Sequence, residues 1–236
     1  MIAENYLRVL ERIARAAQSA GRAPDSVRLV VVTKGHPAQS AREAIEAGAK
    51  LLGENYAEEG VAKKQALLEA APVEWHMIGH VQSRKARLVC ENFAWVHSLD
   101  SGKLADRLDT FAGELGRVLP VLLECNVSGE ETKHGWPSWQ PETWPALLPG
   151  AARLASLPNL KVRGLMTMAP YLPDPELARP YFRRLRLLQE YFARNIPGAD
   201  WSELSMGMSG DFEAAIQEGA TLVRIGTAIM GPRPVV

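Results

Sequence analysis

Lys34 directly follows the apolar run Leu29-Val30-Val31-Val32-Thr33 and opens Lys34-Gly35-His36-Pro37. A lysine rooted in an apolar wall has its ammonium form disfavoured by desolvation, which frees a nucleophilic amine for Schiff-base chemistry. Taken alone, it reads first as a surface lysine at a strand exit. Two other features lie near the C-terminus. The turn Ser205-Met206-Gly207-Met208-Ser209-Gly210-Asp211 is rich in glycine and serine, and Arg224-Ile225-Gly226-Thr227 closes the last apolar run. Such turns offer backbone amides to an anion, and Ser209 is spaced to cap the helix expected after it. Gly226 and Thr227 could aim two more amides at the same anion. Asp211 suits a helix start but would repel a phosphate unless turned away.

Other chemistries lack their residues. Gly48 to Asn55 reads Gly-x-x-x-x-Gly-Glu-Asn, without the lysine and hydroxyl of a P-loop. There is no His-Glu-x-x-His, and the five histidines are not paired at ligand spacing, so no metal site is expected. Gly207-Met208-Ser209-Gly210 lacks the second spacer of a nucleophile elbow. Cys90 and Cys125 form no Cys-x-x-Cys motif and read as two buried, reduced thiols. Lysine plus arginine (27) balance aspartate plus glutamate (27), so the chain lacks the basic footprint of a nucleic-acid binder. The pairs Lys63-Lys64 and Arg183-Arg184 read as solvated helix faces. No signal core or bilayer-length apolar run is present, which points to a cytoplasmic protein that does not enter the membrane.

The elements that would position these residues alternate. Ile2, Tyr6, Val9, Ile13 and Ala17 give a first helix over 2–20, ended by Gly21 and Pro24. Strands are expected at 29–33, 50–53, 74–78, 94–97, 119–126, 162–166, 204–205 and 221–225. Helices are expected at 38–47, 58–70, 84–91, 102–116, 142–156, after Pro180, and at 210–218. That order suits an α/β fold, a single (β/α)8 TIM-type barrel over 1–236 with an extra N-terminal helix. A doubly wound open sheet is the rival, but no Gly-x-Gly-x-x-Gly follows the first strand. The segment 134–150, with Trp136, Trp139, Trp144 and several prolines, reads as a structured loop over a barrel edge or as a partner surface.

In a barrel, Lys34 would sit at the C-terminal end of the first strand, and the two turns would follow the seventh and eighth, where barrels hold phosphates. An amine facing a phosphate cradle fits pyridoxal 5′-phosphate. Period-two alternation puts Arg224 and Gly226 on one strand face, so Arg224 can point inward. Its permanent charge would oppose protonation of a nearby ring nitrogen.

At these residues the chain resembles the YggS/PROSC family of pyridoxal-phosphate-binding proteins. The resemblance runs nearly end to end. It is carried by Val32-Thr33-Lys34, Gly53-Glu54-Asn55-Tyr56, Trp75-His76-Met77-Ile78-Gly79, Arg163-Gly164-Leu165-Met166, Ser205-Met206-Gly207-Met208-Ser209 and Val223-Arg224-Ile225-Gly226-Thr227-Ala228. It implies a barrel like the N-terminal domain of alanine racemase, a Schiff base on Lys34, and Arg224 near the pyridine nitrogen. Ser209, Gly226 and Thr227 would hold the phosphate, while Asn55, His76, Met166 and Ser205 match positions lining the cofactor. His36 stands where members often have a second lysine, which puts in doubt any transfer role for that position. Gln82-Ser83-Arg84-Lys85 and Ser209-Gly210-Asp211 also depart from the usual Gln-x-Asn-Lys and Ser-Asp-Asp.

The resemblance implies pyridoxal-phosphate homeostasis: buffering or delivering cofactor, with apo forms of cofactor-dependent enzymes as partners and effects on amino-acid and keto-acid balance. The alternative is an amino-acid racemase of the alanine racemase type. Racemisation needs a second base opposite the lysine, which alanine racemases take from an additional domain of a partner subunit. Here Gly231-Pro232-Arg233-Pro234-Val235-Val236 comes straight after the last barrel element, so no catalytic residue is assigned. A closed barrel of this kind is expected to be a monomer.

Overall fold

The computed structural model describes residues 1–233. Helix α1 (Ile2–Ser19) leads into β1 (Arg28–Val32), α2 (Ala38–Glu46), β2 (Leu51–Glu54), α3 (Ala57–Ala66) and β3 (Glu74–Met77). Then come α4 (Ala86–Asn92), β4 (Trp95–Leu99), α5 (Gly102–Glu114), β5 (Leu119–Asn126) and the short β6 (Trp136–Pro137). The chain continues through α6 (Leu148–Ala155), β7 (Leu160–Met166), α7 (Arg179–Asn195), β8 (Glu203–Ser205), α8 (Phe212–Gln217), β9 (Leu222–Ile225) and α9 (Thr227–Met230). Strands run in the order β4-β3-β2-β1-β9-β8-β7-β5, and β4 also pairs with β5, so the sheet closes on itself. Every pairing is parallel. Closure excludes the open-sheet rival. β6 lies outside the ring as a two-residue addition to β5.

Alternation along each strand separates two cores. Leu29, Val31, Leu52, Trp75, Met77, Val96, Val223 and Ile225 pack outward beneath the helices. Val30, Leu51, Trp95, Leu122, Met166 and Leu222 fill the barrel interior. A two-sided burial of this kind is why the strands read as unbroken apolar runs. Gly164, at φ +147°, fits between β7 and β8 only without a side chain, because a Cβ would lie 1.9 Å from the Glu203 carbonyl oxygen.

The helix expected over 142–156 divides into a 3-10 stretch, Pro141–Leu147, and α6. Pro145 explains the division, having no N–H to give an α-helical ladder. The segment around it is a structured loop. Trp136 Nε1 donates to the Leu99 carbonyl (3.2 Å) and the buried Trp144 donates to the Ser138 carbonyl (3.1 Å). Cys90 and Cys125 are free and buried, as expected. Among the described residues, no helix is long and apolar enough to cross a membrane.

Candidate functional site

A cavity of about 280 Å³ opens where the barrel strands end. Lys34, Asn55, Ser209, Arg224, Gly226 and Thr227, all expected from sequence, line it together with His36, Met208, Asp211 and Arg233. Strand periodicity explains the convergence. Val30 and Val32 face inward on β1, so Lys34 two residues further on follows them into the cavity. On β9, Leu222, Arg224 and Gly226 share the inner face by the same rule.

The outward residues beside Lys34 clamp its backbone. Glu54 alternates outward from β2 and meets Lys63 on α3. The Lys63 ammonium donates to Glu54 Oε1 (2.7 Å), Glu59 Oε1 (2.7 Å) and the Thr33 carbonyl (2.6 Å). Thr33 Oγ1 donates to Glu54 Oε1 (2.5 Å), and the Gly35 amide donates to Glu59 Oε1 (2.6 Å). Both chain neighbours of Lys34 are thereby tied to one buried ion cluster. Lys63 is 6% exposed, which corrects its reading as part of a solvated pair. Helical spacing gave no warning, because a buried lysine is rare without a partner supplied by another element.

Burial lowers the Lys34 amine below the ordinary lysine range, and Arg233 and Arg224 lower it further; Glu54 and Glu59 partly oppose them. This is the direction needed for a nucleophilic amine near neutral pH. Arg233 comes from the chain end, which sequence spacing did not connect to the site. Its Cδ would lie 3.1 Å from a Cβ placed on Gly35, whose φ is +71°. A side chain at position 35 would therefore strain the backbone and crowd this guanidinium.

The expected anion wall is built by the turns after β8 and β9, and β9 pairs directly with β1, the strand that leads to Lys34. Gly207, at φ +94°, turns the chain tightly over α8, where a Cβ would sit 2.7 Å from Ala215 Cβ. Ser209 does not cap α8: its Oγ accepts from the Ala228 amide (3.2 Å) at the start of α9. Asp211, the residue before α8, makes no side-chain cap either: its carboxylate accepts from the Met208 amide (2.6 Å) within its own loop. The amides of Ser209, Gly210 and Thr227 have no protein acceptor among the described residues. Unspent N–H groups on two adjacent turns, with Arg233 lining the same cavity, suit a phosphate. The residues present therefore fit a group carrying an aldehyde at one end and an anion at the other.

His76, Met166 and Ser205 lie behind the cavity wall, each fully buried in the barrel. Arg224 donates to Ser205 Oγ (2.5 Å) and to the Thr167 carbonyl (2.8 Å). Ser205 Oγ then meets His97 Nδ1 (2.9 Å), and His97 Nε2 meets His76 Nδ1 (2.8 Å). A guanidinium can only donate, so Ser205 Oγ accepts from Arg224, while toward His97 the hydroxyl donates or accepts according to the His97 tautomer. His76 Nε2 ends the chain 3.5 Å from Glu74 Oε2, beyond a good hydrogen bond. Burial keeps both rings neutral, holding His97 well below the usual histidine range and lowering His76. Burial also lowers Arg224 to about 10, which leaves it charged at neutral pH, and raises Glu124 to about 7. Sequence reasoning missed His97 because its partner Ser205 lies 108 residues away.

A family model described as alanine racemase, N-terminal domain, matches residues 7–234. The pyridoxal phosphate homeostasis protein of Pseudomonas aeruginosa is 47% identical over 232 residues, covering 98% of this chain and 96% of that one. That of Aquifex aeolicus is 44% identical over 230 residues, covering 98% and 97%. The chain belongs to the pyridoxal phosphate homeostasis protein family. Among solved structures similar to this family member is Synechococcus elongatus PipY with pyridoxal phosphate bound, at TM-score 0.83 and 37% identity. It covers 98% of this chain and 100% of PipY. An alanine racemase from Clostridium difficile shares the fold at TM-score 0.71 but only 16% identity, and the match spans 57% of its length.

Proposed function

We propose that this chain binds pyridoxal 5′-phosphate through a Schiff base on Lys34 and buffers or delivers it inside the cell. The observation that carries the reading is the placement of a desolvated lysine amine in one cavity with the unspent amides of Ser209, Gly210 and Thr227. When bound, the cofactor supplies an aldehyde for the amine, an anionic phosphate and an aromatic ring that draws electrons. Lys34 is the attachment point, kept in place by the Lys63–Glu54–Glu59 cluster behind Thr33 and Gly35. The turn amides, the Thr227 hydroxyl and Arg233 would hold the phosphate. Arg224, fixed by Ser205 and Thr167, would sit beside the ring nitrogen and discourage its protonation. Asn55 would contact the ring from the loop after β2, while His76, Met166 and Ser205 would support the floor.

The mouth of the cavity is bordered by Met168, Pro170, Tyr171 and Leu172 on the loop after β7, and Tyr171 is 97% exposed. An open mouth suits a protein that gives up its ligand. Free buried thiols support a reducing, cytoplasmic setting. We take the chain to be a monomeric single barrel over 1–236, with apo forms of cofactor-dependent enzymes as recipients. The test is transfer: purified yellow protein mixed with such an apoenzyme should restore its activity faster than the protein releases cofactor into buffer. Restoration no faster than release overturns direct delivery. Sustained interconversion of alanine enantiomers by the loaded protein would overturn the carrier reading in favour of a racemase.

A further inference from the structure

Two histidines far apart in sequence meet at the rim of the barrel, outside the cavity. His80 follows β3, Asp100 follows β4, and His134 precedes β6. The two imidazole rings stack with centroids 4.2 Å apart and planes 15° apart. His80 Nδ1 lies 2.7 Å from Asp100 Oδ2, and one ligand atom from each of the three residues lies within 4.8 Å of the others. The convergence is built by the tryptophan-rich segment. Gly135, next to His134, presses on β5 so closely that a Cβ would lie 2.6 Å from the Glu124 carbonyl oxygen. Trp136 Nε1 binds the carbonyl of Leu99, the residue before Asp100. The segment is therefore a strap that carries one imidazole to a histidine–aspartate pair. Among the described residues, the His134 ring has no hydrogen-bond partner of its own.

We propose that His80, Asp100 and His134 form a binding site for a divalent first-row transition ion of the zinc, cobalt or nickel class. Two imidazoles and a carboxylate are the borderline donor set these ions take, and three protein ligands leave positions for water. Ligands on a tetrahedral ion stand roughly 3.3 Å apart. The atoms here stand from 2.7 Å (His80 to Asp100) to within 4.8 Å apart, so binding requires side-chain rotations toward that value, and the His80 and His134 side chains are exposed. Nothing in the site depends on the cofactor reading, since none of the three residues lines the cavity.

Calorimetric titration of the untagged, cofactor-loaded protein with zinc chloride and with cobalt chloride tests the site. One equivalent should bind, and cobalt should give visible absorption bands of a nitrogen- and oxygen-ligated ion. His134→Ala and Asp100→Asn should each weaken binding at least tenfold while leaving the thermal melt without metal close to that of the parent. Asp25→Asn, altered at an exposed position outside both the cluster and the cavity, should bind as the parent does. Absence of binding, several equivalents of weak binding, or affinity unchanged in both His134→Ala and Asp100→Asn would overturn the assignment.

Discussion

Lys63→Met removes the ammonium that joins Thr33, Glu54 and Glu59. Three hydrogen bonds are lost, and the Glu54 carboxylate, whose side chain is fully buried, is left without a cation. Breaking one side of a buried ion pair costs about 3–5 kcal/mol, chiefly because the remaining charge stays desolvated. For a chain of this length that corresponds to a fall in Tm of about 6–20 °C. The deficit has a defined pH dependence. Burial already raises the Glu54 carboxyl, and without Lys63 it rises further. A carboxyl raised in the folded state binds its proton more readily there than in the unfolded chain. Stability is then lost as pH climbs from the unfolded value through the folded one, so the deficit is larger near about pH 8 than near about pH 5. Urea unfolding of the parent, Lys63→Met and Lys63→Met/Glu54→Gln at both pH values is the assay. The double variant should recover much of the loss at high pH, because it no longer carries the stranded charge. A single variant within about 1 kcal/mol of the parent at high pH, or a deficit that grows on acidification, would refute the reasoning.

The buried polar chain gives a second pH effect of opposite sign. His97 and His76 are held neutral in the fold, so the unfolded state binds more protons below the ordinary histidine range and stability falls as pH drops. Each adds at most about 1.4 kcal/mol per pH unit to that slope, where the ring is neutral in the fold and charged in the unfolded chain, and His97→Gln should flatten the acid side of the stability profile in unfolding curves. Ser205→Ala strips the hydroxyl between Arg224 and His97 and should cost about 1–3 kcal/mol in urea unfolding, together with weaker cofactor retention on dialysis. Arg233→Ala should weaken inorganic phosphate competition for the cavity and slow colour formation, read as the rate of absorbance growth on adding pyridoxal phosphate. Cys90 and Cys125, with thiols pushed up to about 11 and about 12 by burial, should stay unreactive to a thiol reagent until the protein is denatured.

The barrel was legible because its strands are short apolar runs at regular spacing, and β5 was placed at its full 119–126 extent. Lys34 was legible from its place at the C-terminal end of the first strand, and Arg224 and Gly226 because period-two alternation puts them on one strand face. The supports were not legible. Lys63 lies 30 residues from Thr33, and His97 lies 108 from Ser205, so only closure of the barrel shows that a charged helix residue and a core histidine belong to the site. Ser209 was placed in the correct turn with the wrong partner. Its hydroxyl serves α9, a helix of four residues that is too short to announce itself in a periodic pattern. The convergence of His80 and His134 escaped for the same reason, since the strap that joins them is irregular backbone held by tryptophans.

Borohydride reduction of the protein loaded with pyridoxal phosphate, followed by peptide mass mapping, tests the central claim most directly. The cofactor mass should appear on the peptide containing Lys34 in one equivalent, and Lys34→Ala should carry none and remain colourless. Cofactor fixed chiefly to another lysine, or a coloured and reducible Lys34→Ala protein, would contradict the account.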